Sequence, residues 1–204
     1  KEKYLEFNNS FGSFNTWKNT LKVGTGLLAK HFLIDARVSR ISSDGYIDRA
    51  TSNLKSLYFS AAYINDKSSL RFNIISGKEK TYQAWNGVSE SDLKSHRTIN
   101  YAGMEKPGEP YANQTDNYWQ NHYQLFFTHR FTNKLSFNVA GFLTNGRGYY
   151  EEYRAAQGYA AYGLSYPVIA GNTVYETDLV RQLWLKNHFY GSIFSALYES
   201  GKTH

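Results

Sequence analysis

Apolar and polar residues alternate with period two along most of the chain. Leu57, Phe59, Ala61 and Tyr63 interleave with Ser56, Tyr58, Ser60 and Ala62, and Leu70, Phe72 and Ile74 with Arg71 and Asn73. Phe32, Ile34, Ala36 and Val38 alternate with Leu33, Asp35, Arg37 and Ser39; Leu135, Phe137, Val139 and Leu143 alternate with Ser136, Asn138 and Ala140. Successive strand side chains point to opposite faces, so each run predicts a strand with one apolar and one wet surface. Ile75, Phe126, Phe142 and Phe194 break the pattern as apolar residues expected on the wetter face.

Eight such runs lie near residues 3–11, 16–27, 32–42, 53–64, 70–82, 118–130, 135–144 and 183–198. Most reach about ten residues, the length a tilted strand needs to cross a bilayer and longer than soluble strands commonly are. Short turns are expected at residues 28–31, 65–68, 132–134 and 201–202. On the other side of the sheet fall a tight bend at Gly12-Ser13, a loop at 43–51, and two long loops near 83–117 and 145–182. Pro107, Pro110 and Pro167, the chain's three prolines, all fall in the long loops, where a missing N–H harms no ladder.

Long loops on one side and short turns on the other are the asymmetry of an outer-membrane barrel. The competing architecture is a soluble β-sandwich, for instance a carbohydrate-binding one, whose apolar faces would cover each other. Strand length and loop asymmetry favour the barrel. Leu57, Phe59, Phe72, Ile74, Leu125, Phe127, Phe137 and Val139 then face lipid, while Arg37, Arg71, Asn73, Gln124 and Asn138 face a wet lumen. Trp17, Tyr63, Tyr82, Tyr118, Trp119 and Trp184 suit interfacial aromatic girdles. An arc of eight strands would leave two unpaired edges in lipid, so these residues are expected to form part of a wider barrel.

Composition narrows the chemistry. The 204 residues contain no Cys, which removes disulfides, thiolate metal sites and cysteine nucleophiles. The formal charge of +6 is scattered along the sequence, which argues against a nucleic-acid surface. No run of about 18 apolar residues occurs that would form a transmembrane helix. Gly24-Thr25-Gly26-Leu27-Leu28-Ala29 matches G-x-G-x-x-A, yet period-two alternation follows instead of a helix and Asp35 comes too early. The two glycines are instead expected to admit a plug or another backbone close to a strand. His31, His96, His122, His129, His188 and His204 show no ligand spacing, so no metal site is expected. Glu151-Glu152 reads as a solvated loop pair. No catalytic residue, cofactor or reaction is indicated, and the protein is not expected to be an enzyme.

The long loops carry a different signal. Tyr82, Trp85, Tyr111 and Trp119 in the first, and Arg147, Tyr149, Tyr150 and Arg154 in the second, combine large contact area with polar tips. Tyr, Trp and Arg are enriched where proteins bind ligands, and Arg suits an anionic one. These eight residues are the candidates for an external binding vestibule.

Three strings carry a likeness: Ser10-Phe11-Gly12-Ser13-Phe14-Asn15-Thr16, Leu21-Lys22-Val23-Gly24-Thr25-Gly26, and Arg40-Ile41-Ser42-Ser43-Asp44-Gly45-Tyr46-Ile47-Asp48. They resemble the opening of the barrel in TonB-dependent outer-membrane receptors. Thr81-Tyr82-Gln83-Ala84-Trp85-Asn86-Gly87-Val88 is similar to the rim of an extracellular loop in receptors of the iron-complex and cobalamin type. The likeness runs through most of residues 4–145. Tyr153-Arg154-Ala155-Ala156 echoes a haem-receptor box, but Ala stands where Pro belongs, and no assignment follows. The resemblance implies an all-β, antiparallel transmembrane β-barrel of 22 strands plugged by an N-terminal domain. Residues 1–204 would supply about its first eight strands, without the plug, its energy-coupling box or the later strands. It also implies a Gram-negative outer-membrane location and lipid contact. The implied activity is receptor-mediated transport of a scarce nutrient complex, of the iron-uptake kind: a ferric siderophore, haem or cobalamin. The implied partner is the inner-membrane TonB complex, acting through the plug. A carbohydrate-uptake receptor is a sibling reading. A small non-energised barrel, acting as adhesin or structural anchor, is the alternative from another class.

Overall fold

The computed structural model describes residues 2–199. The expected turn at 201–202 and His204 lie outside that range. Eight strands form one antiparallel sheet in chain order: β1 (Tyr4–Gly12), β2 (Thr16–Gly24), β3 (Phe32–Ser43), β4 (Ser52–Ile64), β5 (Ser68–Tyr82), β6 (Thr115–Arg130), β7 (Leu135–Gly158) and, last, β10 (Glu176–Tyr198). Two two-residue strands, β8 (Val168–Ile169) and β9 (Asn172–Thr173), make a small hairpin before β10. Among the described residues β1 and β10 do not pair, so the sheet is open.

The alternation in sequence becomes two faces because each register pairs like with like. Ile34, Ala61, Phe72 and Leu125 lie directly opposite one another across β3 to β6, as do Ala36, Phe59, Ile74 and Tyr123. On the opposite face Arg37 meets Tyr58, Ser60 meets Asn73, and Asn73 meets Gln124. Thr128 and Asn138 are bonded there at 2.8 Å, and Asn138 reaches Ser195 at 3.3 Å. All eight expected apolar-face residues and all five expected polar-face residues are placed as the alternation required. Ile75, Phe126 and Phe142 do break the polar face. Phe194 does not: it pairs with Val139 on the apolar face, and Ile193, opposite Ala140, breaks the polar face instead.

Nothing covers the apolar face. Phe7 is 66% exposed and Phe194 64%, and the only buried apolar residues among those described are Ala62, Tyr82 and Ala102. This is not a β-sandwich, whose second sheet would bury these side chains.

The connections alternate in length. Residues 25–31, 65–67 and 131–134 turn at one end, where the Asn65 carboxamide oxygen accepts from the Lys67 and Ser68 amides and Thr132 Oγ1 accepts from those of Lys134 and Leu135. Ala29 and Lys30 adopt positive φ in the β2–β3 turn. Residues 13–15, 44–51, 83–114 and 159–175 connect strands at the other end. The 83–114 loop contains one helix, α1 (Glu90–Ser95), started by a Ser89/Asp92 capping box.

The second long loop is a correction. Most of residues 145–182 are strand, since β7 and β10 stay paired to Glu176↔Gly158 with one register shift between Thr177 and Leu179. Asn145-Gly146-Arg147-Gly148 reads as a turn, but both glycines face Tyr118 on β6. A Cβ on Gly146 would overlap the Tyr118 hydroxyl, and one on Gly148 would overlap the Tyr118 ring and the Asn117 carbonyl. The glycines make room for an aromatic cross-strand neighbour. Gly24 is similar, except that its space is filled by Tyr4 and Asp35 side chains, not by a plug or a second backbone. The girdle is partly revised too: Trp17, Tyr63, Trp119 and Trp184 lie on the apolar side of the sheet, whereas Tyr118 lies on the polar side and Tyr82 is buried.

Candidate functional site

At the loop end, residues 83–114 fold back on the ends of the strands through an inner polar core. Asn100, 3% exposed, donates to the Asp48 and Gln83 carbonyls and accepts from the Ala102 amide. The Asp48 amide donates to Thr98 O at 2.8 Å, which ties the 44–51 loop to the longer one. Arg49 donates to the carbonyls of Asn100 and Ala102.

Tyr82 belongs to this core. Its hydroxyl lies 3.1 Å from Ala102 O and 2.7 Å from Tyr111 O, against Gly103, whose φ of +83° and lack of a side chain admit the contact. Tyr111 donates to Glu151 Oε1 at 2.8 Å, and burial together with that bond pushes its hydroxyl pKa up to about 12. Glu151 also accepts from Asn113 and, at 2.6 Å, from Gln182 Nε2, while Gln83 donates to its backbone carbonyl. The carboxylate therefore ties the C-terminal end of the loop to β10, and the Glu151 backbone carbonyl ties its N-terminal end to β7. At 7% exposure Glu151 is not a solvated acid, and Glu152 pairs with Arg181. The reading of residues 151–152 as a loop pair missed both roles. No apolar alternation continues past Thr144 to signal them; their pairing with β10 places them.

The eight candidates do not converge, and only Trp85 and Tyr111 lie in a loop. Tyr82, Trp119, Arg147, Tyr149, Tyr150 and Arg154 are strand residues. Tyr82 and Tyr111 are engaged in holding the loop, and Arg154 pairs with Glu105 at 3.4 Å. Trp119, Arg147 and Tyr149 lie on the apolar side of the sheet, with the Arg147 guanidinium 5.0 Å over the Trp119 ring and Tyr149 4.6 Å from Trp184. On the polar side, which Arg154 shares by register, the Tyr150 and Trp85 rings meet edge to face at 5.7 Å. There Tyr150 joins Tyr118, Glu79, Asp116, Leu183 and Leu185 around a cleft of about 530 Å³. Aromatic walls with two carboxylates suit a ligand that combines an apolar body with hydrogen-bond donors. Tyr118, Glu79, Asp116 and the two leucines are not among the candidates: Tyr118 suits an aromatic girdle, Asp116 falls in the expected 83–117 loop as an acid, and Glu79, Leu183 and Leu185 fall at expected strand positions.

The histidines have local partners: His122 contacts Thr144 at 2.9 Å, His129 contacts Ser68 at 2.8 Å, and His188 contacts Asn145 at 2.7 Å.

No family model and no curated protein matches the sequence. Solved structures do match. The chain superposes on the closed form of the ferric-catecholate import receptor Fiu from E. coli K12 with a TM-score of 0.63 and 12% identity, over 98% of its own length and 29% of that receptor's. For the open form the values are 0.64 and 12%, over 99% and 32%. The fold is that of part of such a receptor's barrel, an open and nearly all-β antiparallel sheet. The chain spans about a third of the length of the structures it resembles.

Proposed function

We propose that this chain is part of the barrel of an outer-membrane receptor that imports a small nutrient complex of the siderophore kind. One observation carries the reading: an antiparallel meander with an uncovered apolar face, looped at one end, superposes over nearly its whole length on a ferric-catecholate receptor. In this reading the apolar face contacts outer-membrane lipid and the polar face lines a lumen. The loop end is extracellular, and the cleft around Tyr118 and Tyr150, with Trp85 against the Tyr150 ring, meets incoming ligand. The chain has no catalytic role. Energy reaches it from the inner-membrane TonB complex through a plug domain elsewhere in the polypeptide. The Gram-negative outer membrane is the corresponding location.

The test is uptake of radiolabelled ferric catecholate, haem and cobalamin by cells carrying or lacking the full-length gene. Uptake confined to the ferric complex, and reduced in Trp85→Ala/Tyr150→Ala but not in Arg147→Ala, is expected. Equal uptake of all three with and without the gene would overturn the proposal.

A further inference from the structure

Two rows of the register cross the cleft on the polar side near the loop end. One runs Glu79, Tyr118, Gly148 and Leu185 across β5, β6, β7 and β10; the next, one step nearer the loops, runs Thr81, Asp116, Tyr150 and Leu183. Tyr118 does not stand off the sheet. Its ring fills the space that a side chain on Gly148 would take, and its hydroxyl fills that of Gly146 and donates to Asn187 Oδ1 at 3.2 Å. The ring therefore lies along β7 with one face on the strand, leaving the other to the cleft that Tyr118 lines. The face of an aromatic ring is the negative part of its quadrupole.

Two carboxylates flank that face. Glu79 is directly opposite Tyr118, one strand or about 4.8 Å away, and Asp116 is two residues from it on the same face of β6. Among the described residues neither side chain makes an ion pair or a hydrogen bond, so holding the fold together does not account for them. The cations nearby are turned away or engaged. Lys78 and Lys80 alternate with Glu79 onto the other face, Lys80 donates to Asn113 at 2.7 Å, and Arg181 is paired with Glu152. Lys18, in the row of Glu79, is three strands away. Elsewhere on the polar face Glu6 is matched with Lys22 at 3.0 Å. The cleft of about 530 Å³ thus carries two negative charges that the described residues leave unmatched.

We propose that the cleft receives an organic cation, a protonated amine carried by the imported complex, on the Tyr118 ring between Glu79 and Asp116. This deepens the proposed function and rests on it, since it takes the polar side to line the path of the ligand. The walls select an organic cation over a metal ion. A hard cation such as calcium needs about six to eight oxygen ligands, and the described residues bring only two carboxylates here. An ammonium is satisfied by a ring face and a carboxylate together. Tyr150, Leu183 and Leu185 would cover the hydrocarbon that carries it.

The test uses the full-length receptor purified in neutral detergent, with binding measured by isothermal titration calorimetry. The probes are a ferric catecholate with one free primary amine, the same complex with that amine acetylated, and phenyltrimethylammonium. The amine-bearing complex should bind at least about tenfold more tightly than the acetylated one, the effect of about one desolvated cation–aromatic contact. Glu79→Gln/Asp116→Asn should abolish that preference without weakening the acetylated complex, and Tyr118→Leu should reduce it. Tyr118→Phe, which keeps the ring, should retain it, as should Asp66→Asn/Glu109→Gln, which removes two exposed acids outside the cleft. Equal affinity of the two complexes for the unmodified receptor, or a preference that survives Glu79→Gln/Asp116→Asn, would overturn the inference. The comparison between complexes needs no variant, so a variant that fails to assemble leaves it decisive. Failure of the proposed function shows separately, as binding of neither ferric complex. Phenyltrimethylammonium then decides the inference: binding that Glu79→Gln/Asp116→Asn removes sustains it, and no binding overturns it.

Discussion

Phe72→Arg tests the assignment of the two faces at the point where it is most exposed to refutation. Phe72 is the middle of Leu70, Phe72 and Ile74 on β5 and lies between Ala61 and Leu125 in the register. No acid or polar side chain stands opposite it to receive a guanidinium. An arginine at mid-depth on the lipid face of a barrel costs about 2–4 kcal/mol. At about 1.4 kcal/mol per factor of ten, the folded-to-unfolded ratio should fall about thirtyfold to seven-hundredfold. Arg71→Ala, one residue away, removes a side chain that faces Ala62 and Phe126 on the polar side, and should change stability by less than about 0.5 kcal/mol. The assay is equilibrium urea unfolding of the full-length receptor in lipid vesicles, read by heat-modifiable gel mobility. Equal shifts in the two variants, or a larger one for Arg71→Ala, would refute the face assignment and with it the barrel.

The loop end supports three further expectations. Glu151→Ala strands three donors, on Tyr111, Asn113 and Gln182, and should loosen the 83–114 loop by about 2–3 kcal/mol while the strands stay paired; faster tryptic cutting at Lys94 or Arg97 without loss of strand signal in circular dichroism checks it. Gly148→Ala presses its Cβ on the Asn117 carbonyl oxygen, so it should cost about 1–3 kcal/mol in urea unfolding even in a Tyr118→Ala background, whereas Gly146→Ala meets only the movable ends of Tyr118 and Asn187 and should cost less. Tyr111, whose folded pKa is raised to about 12 from 10.0, contributes stability that is complete below pH 10 and lost as pH climbs through 12; the tyrosinate absorbance missing from Tyr111→Phe should titrate near 12 and not near 10.

The strands were legible because a face uncovered by protein demands near-strict alternation, and the band from Phe32 to Val38 or Leu57 to Tyr63 obeys it. Legibility ended where that demand ended. Beyond Thr144 the outward residues of β7 are Asn145, Arg147 and Tyr149, and the inward ones include Gly146 and Gly148, so neither face retains a hydrophobic signature. Pairing with β10, and not polarity, holds this segment as strand. The vestibule was hidden for a related reason. Tyr and Arg report capacity for contact, but whether Tyr82 touches ligand or its own loop depends on Ala102 and Tyr111, which are about twenty and thirty residues away. Glu151 illustrates the same limit, since all its side-chain donors come from other segments.

Parity on β7 now constrains where a ligand can be met. Thr144, Gly146, Gly148 and Tyr150 share the polar side, whereas Asn145, Arg147 and Tyr149 share the other. If the polar side lines the lumen, a solute entering from the loop end meets the cleft of Tyr150, Tyr118 and Leu183, which Tyr149 also borders, whereas Arg147 lies over the Trp119 ring on the other side of the sheet and is not placed to attract it. The walls of the inward cleft instead carry Glu79 and Asp116, which disfavour a free anion. A transported complex that uses this cleft must shield its negative charge behind an aromatic exterior; on the polar face Arg181, nearer the loop end, is paired with Glu152, while Lys22 and Arg37 lie nearer the turn end. Reversing the acids with Glu79→Lys should thus favour free anions over shielded complexes in equilibrium binding to the full-length receptor. An unchanged ratio would mean that ligand does not pass through this cleft.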